Sequence, residues 1–407
     1  LLNNQPDKNG NPLFQICPIM NNTEYLLPDE PTRCGPASME KMLEYTMSLD
    51  ASDITIQTGE PIIAEVYGRL FQITNRRLSN TEVGDLINSI YGPNAVTQLL
   101  SGKDIDTHYE FRPNRNQRFR YRVNATSCLV EGHDGIQITL RTIPTTPPLL
   151  STLGLPDAVL DSLAPPDGIV FVTGATGAGK STLLASIIRE LVQQADSNRK
   201  VLTYEAPIEF VYDEVEMTSA VVSQSEIPRH LPSFAAGVRN ALRRHPRLIL
   251  VGECRDPETI SAALEAALTG HPVYTTLHTS GVAETIRRLV TSFPAEERVG
   301  RSIDILETIR LCICQRLVPT VDGKRVAIRE YLIFDEKNRD ILLSQPTEKL
   351  TEATRKLVEE KGQPMRFDAK QKLEAGIISE RTYKLIVASE LELDLSRVPP
   401  VQIQPEA

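Results

Sequence analysis

Four short apolar runs divide the second half of the chain, at residues 169–173, 201–204, 248–251 and 273–277. Each run is rich in β-branched residues and ends at polar or turn-forming residues, which is typical of strands buried on both faces. Segments with helical spacing of leucine and isoleucine lie between the runs, as in residues 182–192. Alternating strands and helices predict an α/β domain over residues 158–340, with a mostly parallel sheet covered by helices on both faces.

The first half of the chain has a different pattern, in which strands follow one another with few helices between them. A short helix is predicted at residues 37–45 and a longer one at residues 80–90, and residues 37–143 together form an expected α+β domain. The predicted strands are residues 54–56, 62–67, 107–111, 119–126 and 135–141.

Three segments lack a strong apolar pattern. Residues 1–36 are rich in asparagine and proline and predict an irregular arm. The proline-rich residues 144–157 predict a linker between the two domains. Residues 341–407 are polar with helical periodicity, and we expect a helical appendage that ends in a flexible tail.

Composition narrows the classes of function. The 407 residues carry a net charge of −9, so no general affinity for nucleic acid is expected. No apolar run reaches the length of a membrane span, and no signal peptide is visible. The six cysteines are scattered without zinc-ligand spacing, which favours free thiols in a reducing cytosol. Cys312 and Cys314 lie in an apolar stretch that we interpret as helical, so they are expected to point in different directions.

A glycine-rich segment, GATGAGKST, joins the first apolar run to the helix that follows it. The spacing G-x-x-x-x-G-K-S between a strand and a helix predicts a loop whose N–H groups bind phosphate at a helix N-terminus. Lys180 can reach the β- and γ-phosphates, and Ser181 can ligate Mg²⁺. The predicted nucleotide-binding residues are Gly174, Ala175, Thr176, Gly177, Ala178, Gly179, Lys180, Ser181 and Thr182.

Polar residues follow the other three apolar runs. Glu205 and Glu253 come directly after the second and third runs, and His278 follows the fourth. A carboxylate at the end of a buried strand beside a phosphate loop suits Mg²⁺, its waters or the attacking water. A histidine at this edge can contact the γ-phosphate and report its loss. Helix capping or a structural hydrogen bond is the alternative role for each of these residues.

The segments GATGAGKS, TYEAPIEF, LILVGECRDPETI and TGHPVYTTLHT together resemble the Walker A, Asp, Walker B and His boxes of the PilT-like type II and type IV secretion ATPases. The four boxes occur in order, and the resemblance extends over about residues 40–335. Within that superfamily the segments look most similar to the DotB and TraJ type, which serves type IVB secretion and plasmid conjugation. Ala206 departs from the pattern, because the Asp box usually has aspartate there.

The resemblance implies a RecA-like ATPase core preceded by a PAS-like domain, assembled as a homohexamer that hydrolyses ATP with Mg²⁺. It implies that nucleotide binds between the two domains, where Arg120, Arg122 and Arg141 complete the site. It assigns the general-base role to Glu205 and the metal-linked role to Glu253. The expected location is cytoplasmic, at the inner membrane, with components of a secretion apparatus as partners and no nucleic acid.

Three other functions fit the same core fold. A nucleic-acid motor is disfavoured by the acidic charge and by the lack of a basic, aromatic groove. A nucleotide-gated adaptor without turnover is disfavoured by the intact carboxylates. A small-molecule kinase has no recognisable acceptor pocket in the sequence. Which of Glu205 and Glu253 acts as the general base stays open at this point, as does the choice between effector secretion and conjugation.

Overall fold

The computed structural model describes residues 25–66, 69–114, 117–143 and 145–390. The predicted flexible tail and most of the predicted N-terminal arm lie outside these residues. The chain divides between Thr145 and Thr146 into two compact units. Each unit is built around its own sheet, so the two are described separately.

The described part of the first unit contains a six-stranded antiparallel sheet in the order β3-β2-β1-β6-β5-β4, with three helices. The predicted strands and the helix at residues 80–90 are confirmed, although the last strands are longer than expected. The elements are α1 (Pro36–Ser48), β1 (Ala51–Gln57), β2 (Ile63–Val66), β3 (Arg69–Gln72), α2 (Asn80–Tyr91), α3 (Ala95–Leu100), β4 (Ile105–Asn114), β5 (Gln117–Val130) and β6 (His133–Thr142).

One face of this sheet forms the core of the first unit. Tyr121, Val123 and Ala125 alternate along β5 and are fully buried, in the same cluster as Leu43 of α1 and Leu86 of α2. Since successive side chains of a strand point to opposite faces, the residues between them lie on the other face of the sheet. That second face carries arginine and acidic side chains, to which we return below.

The buried carboxylate of Glu82 forms hydrogen bonds both at the start of α2 and with the segment that precedes α1. Glu82 is 6% exposed and accepts hydrogen bonds from the N–H of Ser79 at 2.9 Å and of Cys34 at 2.8 Å. Arg76 forms an ion pair with it at 2.9 Å. Burial alone would raise the pKa of Glu82, but these contacts outweigh it and lower the pKa to about 2.

We expect Glu82→Gln to lower the free energy of unfolding of the first unit by about 3 kcal/mol at pH 7. A folded-state pKa below the ordinary value of 4.5 means that the stabilisation is complete above pH 4.5 and is lost as the pH falls towards 2. The deficit of the variant should therefore shrink below pH 4. Urea denaturation, with hydrogen exchange of α2 amides reporting on this unit, measures the effect.

Asp85→Asn is the matched control, because Asp85 lies on the same helix and forms an ion pair with Arg33 in which both side chains are about half exposed or more. Exposed pairs contribute about 0–1 kcal/mol. Equal losses in the two variants would contradict the role given to Glu82.

The second unit contains a seven-stranded sheet in the order β13-β12-β7-β11-β10-β8-β9. Every pair is parallel except β12–β13, which is antiparallel. The predicted α/β architecture is confirmed. Its elements up to residue 333 are α4 (Asp157–Asp161), β7 (Gly168–Thr173), α5 (Lys180–Gln193), β8 (Lys200–Glu205), β9 (Val221–Glu226), α6 (Phe234–Ala241), β10 (Leu248–Val251), α7 (Pro257–Leu268), β11 (Pro272–Leu277), α8 (Val282–Thr291), α9 (Arg298–Thr308), β12 (Ile309–Pro319) and β13 (Arg325–Ile333).

Helices cover both faces of this sheet, and β7 shows how its sequence permits that. Ile169 and Phe171 belong to a cluster with α6, α7, α8 and α9, whereas Val170 and Val172 belong to a cluster with α5. Alternate side chains of one continuous apolar run thus enter two different cores. The run therefore predicts a central strand, and β7 indeed has neighbours on both sides.

The helical interpretation of the stretch around Cys312 and Cys314 is wrong, because these residues lie on strand β12. Residues two apart on a strand share a face, so the two side chains do not diverge. Both thiols are buried, and burial raises the pKa of Cys314 to about 12. An apolar run buried on both sides has no strand periodicity, and this is why the pattern did not distinguish it from a helix.

In the residues that the structure describes, four α-helices follow β13. Leu350, Leu357 and Val358 of the second of these helices belong to the same core cluster as β7, so this part of the C-terminal segment packs directly on the core of the second sheet. The helices are α10 (Glu336–Leu343), α11 (Leu350–Lys361), α12 (Met365–Glu374) and α13 (Glu380–Glu390). No helix in the described part of the chain has the length and apolar content needed to cross a membrane.

Candidate active site at the carboxyl edge of the second sheet

Four neighbouring parallel strands of the second unit bring the predicted site residues to one edge. In the order β7, β11, β10 and β8, the strands end at the glycine-rich loop, just before His278, just before Glu253 and at Glu205. Ligands of parallel sheets bind beyond the carboxyl ends of the strands. The structure therefore places the loop, the histidine and both carboxylates side by side along the edge where a ligand is expected.

The loop between β7 and α5 has a backbone that requires glycine. Gly174, Gly177 and Gly179 have φ angles of 141°, 75° and 81°. A Cβ atom on Gly174 would lie 2.2 Å from the backbone oxygen of Gln315, so the first glycine also permits close packing on β12. The loop leads into the N-terminus of α5, where backbone N–H groups favour an anion.

Lys180, the first residue of α5, lies over this loop. Its Nζ atom donates to the backbone oxygens of Gly174 and Ala175, at 2.9 Å each. The residue is 8% exposed, and burial lowers the pKa of its ammonium group, although the nearby Glu253 acts in the opposite direction. A positive charge held at this position faces the space in which the β- and γ-phosphates of a nucleotide are expected.

A polar chain connects Lys180 with the end of β10. Lys180 Nζ lies 3.4 Å from Nδ1 of His278, and Nε2 of the same ring lies 3.2 Å from Oε1 of Glu253. Because an ammonium group can only donate, Nδ1 accepts and Nε2–H donates to the carboxylate. A displacement of the Lys180 ammonium group would therefore alter the contact of His278 with Glu253, because one imidazole ring joins the two side chains.

Glu253 is also engaged on its other oxygen, since Arg255 Nε lies 2.6 Å from Oε2. Both oxygens of a side chain that is only 14% exposed thus have partners already. This geometry fits a magnesium ion held through bridging water better than one ligated directly by the carboxylate. In the described residues, no three histidine, cysteine, aspartate or glutamate side chains lie close enough together to hold a metal ion. Mg²⁺ would thus depend on phosphate oxygens, water and the exposed Ser181 in the first turn of α5.

Glu205 ends β8 and is oriented by neighbours on two strands. Thr203 Oγ1 donates to its Oε1 at 2.6 Å, and Nε2 of Gln224 donates to the same atom at 3.0 Å. Gly252, directly after β10, allows close approach to the end of β8, because a Cβ atom there would lie 3.3 Å from the Cα of Glu205. A carboxylate whose orientation is set in this way can position a water molecule or accept its proton.

The three predicted arginines lie on the polar face of the first sheet. Arg122 and Arg141 are direct partners across β5 and β6, and Arg120 lies two residues before Arg122. Their carboxylate partners are Glu110 for Arg120, Asp106 for Arg122 and Asp53 for Arg141. The structure thus brings the arginines together on one face of the sheet, where Arg120 is buried, Arg122 is partly exposed and Arg141 is exposed. Their contact with nucleotide stays a prediction.

A cavity of about 520 Å³ borders the loop, and it is lined by arginine side chains that the sequence pattern did not single out. Gly174, Ala175 and His278 line it together with two consecutive arginines of α8, Arg287 and Arg288. The helix starts four residues after His278, and this spacing could have suggested that its arginines face the same edge. The volume is in the range of small-molecule sites.

The model of the protein family described as Type II/IV secretion system protein matches residues 38–386. The chain belongs to this family. It is similar to the X-ray structure of the ATPase DotB of Legionella pneumophila, with 78% identity and a TM-score of 0.85, over 90% of this chain and 99% of that one. A structure of the pilus retraction motor PilT with bound ADP matches with 31% identity and a TM-score of 0.74, over 85% of this chain and 96% of that one.

Among curated relatives, the type IV pilus retractation ATPase PilT of Pseudomonas aeruginosa is 36% identical over 305 residues, which is 74% of this chain and 84% of the relative. The resemblance predicted from the four boxes is confirmed, and so is the similarity to the DotB type. The similarity to PilT, which has been solved with bound ADP, also supports two predictions for this chain: a RecA-like core and nucleotide binding.

Proposed function

We propose that the protein hydrolyses ATP and couples hydrolysis to movement between its two units, powering a secretion apparatus. The observation that carries this proposal is the contact series from the phosphate loop through Lys180 and His278 to Glu253. A site built only to hold a nucleotide does not need a carboxylate connected to its phosphate-binding lysine. A hydrolase needs both, because charge develops on the phosphate while water is activated.

Each side chain takes a role that fits its position. The loop N–H groups and Lys180 bind the β- and γ-phosphates, and Ser181 with Glu253, through water, would hold Mg²⁺. The metal ion, when bound, neutralises charge on the phosphate oxygens. Glu205 orients the attacking water and accepts its proton. His278 detects the γ-phosphate, because its ring lies between the phosphate-binding lysine and Glu253.

The arginines of the first unit belong to the same proposal. A planar guanidinium binds phosphate through two N–H groups, so Arg120, Arg122 and Arg141 suit a polyphosphate. We propose that they complete the nucleotide site and release it after hydrolysis. On nucleotide binding, phosphate oxygens would replace the carboxylate partners of these arginines, and after hydrolysis the carboxylate pairs would form again, giving two alternative sets of contacts.

The cellular setting follows from the similarity to DotB and from the motifs. We propose a homohexamer that serves a type IVB secretion or conjugation apparatus, located in the cytoplasm and bound peripherally to inner-membrane components. We propose that residues 37–143, in the first unit, form a PAS-like domain. Residues 158–340, in the second unit, are proposed to form the RecA-like ATPase domain. The hinge of the domain movement is proposed to lie in residues 144–157.

Purified full-length protein tests the proposal directly. We expect hydrolysis of ATP that requires Mg²⁺, and electron microscopy with ATP and Mg²⁺ should show six-membered rings in which the arginines reach the nucleotide. ATP bound without turnover by assembled rings would support an adaptor instead. Strong stimulation of hydrolysis by DNA or RNA would point to a nucleic-acid motor.

A further inference from the structure

Two buried polar residues lie directly beneath the phosphate loop. Gln315 on β12 and Arg329 on β13 are partners across the two strands, and they are 4% and 3% exposed. The Nε atom of Arg329 donates to Oε1 of Gln315 at 2.8 Å. The roles proposed above for the nucleotide site use neither residue.

Gln315 connects this pair to the loop. Its Nε2 atom donates to the backbone oxygen of Ala178 at 2.6 Å. A Cβ atom on Gly179 would lie 2.8 Å from the same Nε2 atom, so the side chain packs closely under the last turn before α5. A shift of the loop backbone would therefore break or move this hydrogen bond.

Arg329 connects the pair to the segment that leads from the first unit into the second. Its Nη1 atom donates to the backbone oxygen of Gly154 at 3.2 Å. Gly154 has a φ of 59° and ends the 3-10 turn Leu150–Leu153, whose Leu150 is buried with α5 in one core cluster. One guanidinium group thus bridges a residue under the loop and the joining segment.

The same arginine is also tied to the C-terminal helices. Its backbone N–H donates to Asp368 Oδ2 of α12 at 2.7 Å, and Lys372 donates to the other carboxylate oxygen at 2.5 Å. Because Lys372 remains as a partner, Asp368 stays paired even when the side chain of Arg329 is replaced. A substitution of the Arg329 side chain therefore leaves the backbone contact with α12 in place.

Burial of a guanidinium group is costly, and burial lowers the pKa of Arg329 from its ordinary value. Whole buried ion pairs can often be replaced by apolar residues without loss of stability, so the burial of a charge is weak evidence that it stabilises the fold. Its side-chain hydrogen bonds, to Gln315 and Gly154, go to neutral oxygens. The arrangement favours a role in setting positions over a role in stabilising the fold.

We propose that Gln315 and Arg329 are positioning residues that couple the conformation of the phosphate loop to the joining segment Leu150–Gly154. The inference rests on the proposed binding of nucleotide at the loop. When the loop binds phosphate, the backbone oxygen of Ala178 shifts and the side chain of Gln315 moves with it. This movement changes the hydrogen bond from Arg329 to the backbone oxygen of Gly154. Information about the nucleotide thereby reaches the joining segment through a path inside the second unit.

Hydrogen exchange with and without ADP and Mg²⁺ tests this coupling in the full-length chain. In the natural protein, nucleotide should slow exchange of the loop and change exchange in residues 150–155 by about fivefold, at the low end of allosteric couplings. In Arg329→Met the loop should still respond, while the response of residues 150–155 should disappear. Arg325→Met is the matched control, because Arg325 is exposed on the same strand.

Gln315→Met gives a second, independent route, since it removes the polar atoms and keeps the length of the side chain. It should also abolish the response of residues 150–155, so an insoluble Arg329→Met protein leaves the inference testable. If residues 150–155 respond to ADP in both variants as they do in the natural protein, the inference is overturned. The proposed binding of nucleotide at the loop would still stand. If the natural loop itself does not respond to ADP, the proposed function fails first.

Discussion

Replacing Lys180 with alanine is expected to weaken nucleotide binding and to reduce ATP hydrolysis by at least about 100-fold, a loss of turnover comparable to that of a preorganised donor in other active sites. Lys180 is the cation that the structure holds directly over the loop, through Gly174 and Ala175. No other side chain on α5 can replace it, because the next basic residue, Arg189, lies more than two turns along the helix. Phosphate release assays and titration with a fluorescent ADP analogue measure the two effects.

Lys200→Ala is the control for this experiment. Lys200 is an exposed lysine at the first position of β8, so it lies at the opposite edge of the same sheet. Its loss removes one positive charge without touching the site, and hydrolysis should stay within about twofold of the natural rate, as for most surface changes. Near-natural turnover in Lys180→Ala would contradict the assignment of the phosphate site.

Glu205→Gln and Glu253→Gln are each expected to spare nucleotide binding and to reduce turnover by about 10²–10⁴-fold, the range of general acid–base catalysis. Glutamine keeps the shape of the side chain but cannot accept a proton or offset a metal ion. In Glu253→Gln the contacts with His278 and Arg255 also lose their negative partner. Binding should persist because the loop and Lys180 remain in place.

Comparison of the two variants decides which carboxylate is the base. The neighbours of Glu253 leave it suited to bridging water, and those of Glu205 suit proton transfer, so we expect Glu205→Gln to stop the chemical step at any Mg²⁺ concentration. Glu253→Gln should be partly rescued by high Mg²⁺. Glu258→Gln serves as the control, because this exposed residue forms an ion pair with the exposed Arg239, away from the loop. Full activity in Glu205→Gln would move the base role to Glu253 or elsewhere.

Local pattern was sufficient for the site residues that follow strands. A glycine-rich loop between an apolar run and a helix has few structural alternatives, and an acidic residue directly after a buried strand must lie at the end of that strand. The positions of the loop, Glu205, Glu253 and His278 at strand ends were therefore predictable from the sequence, and their roles stay predictions. Their common edge could be expected as well, since parallel strands all end on the same side.

Other features depended on contacts between residues distant in the chain. The apolar run on β12 predicted a helix because both its faces are covered, and only the neighbours β7 and β13 make it a strand. Arg287 and Arg288 look like ordinary surface arginines until the cavity beside the loop is seen. Gln315 and Arg329 have no motif of their own, and their role depends on cross-strand pairing.

The amino-acid sequence by itself determined the class of fold, the phosphate loop and the set of polar residues that end its strands, because these depend on spacing and side-chain periodicity along short segments. The tertiary structure alone decided the lateral order of the strands, which puts His278 between the loop and Glu253. It also decided the burial of Gln315 and Arg329 beneath the loop. The physical reason is that strand order and core packing arise from contacts between distant segments, whose free energies no local pattern records.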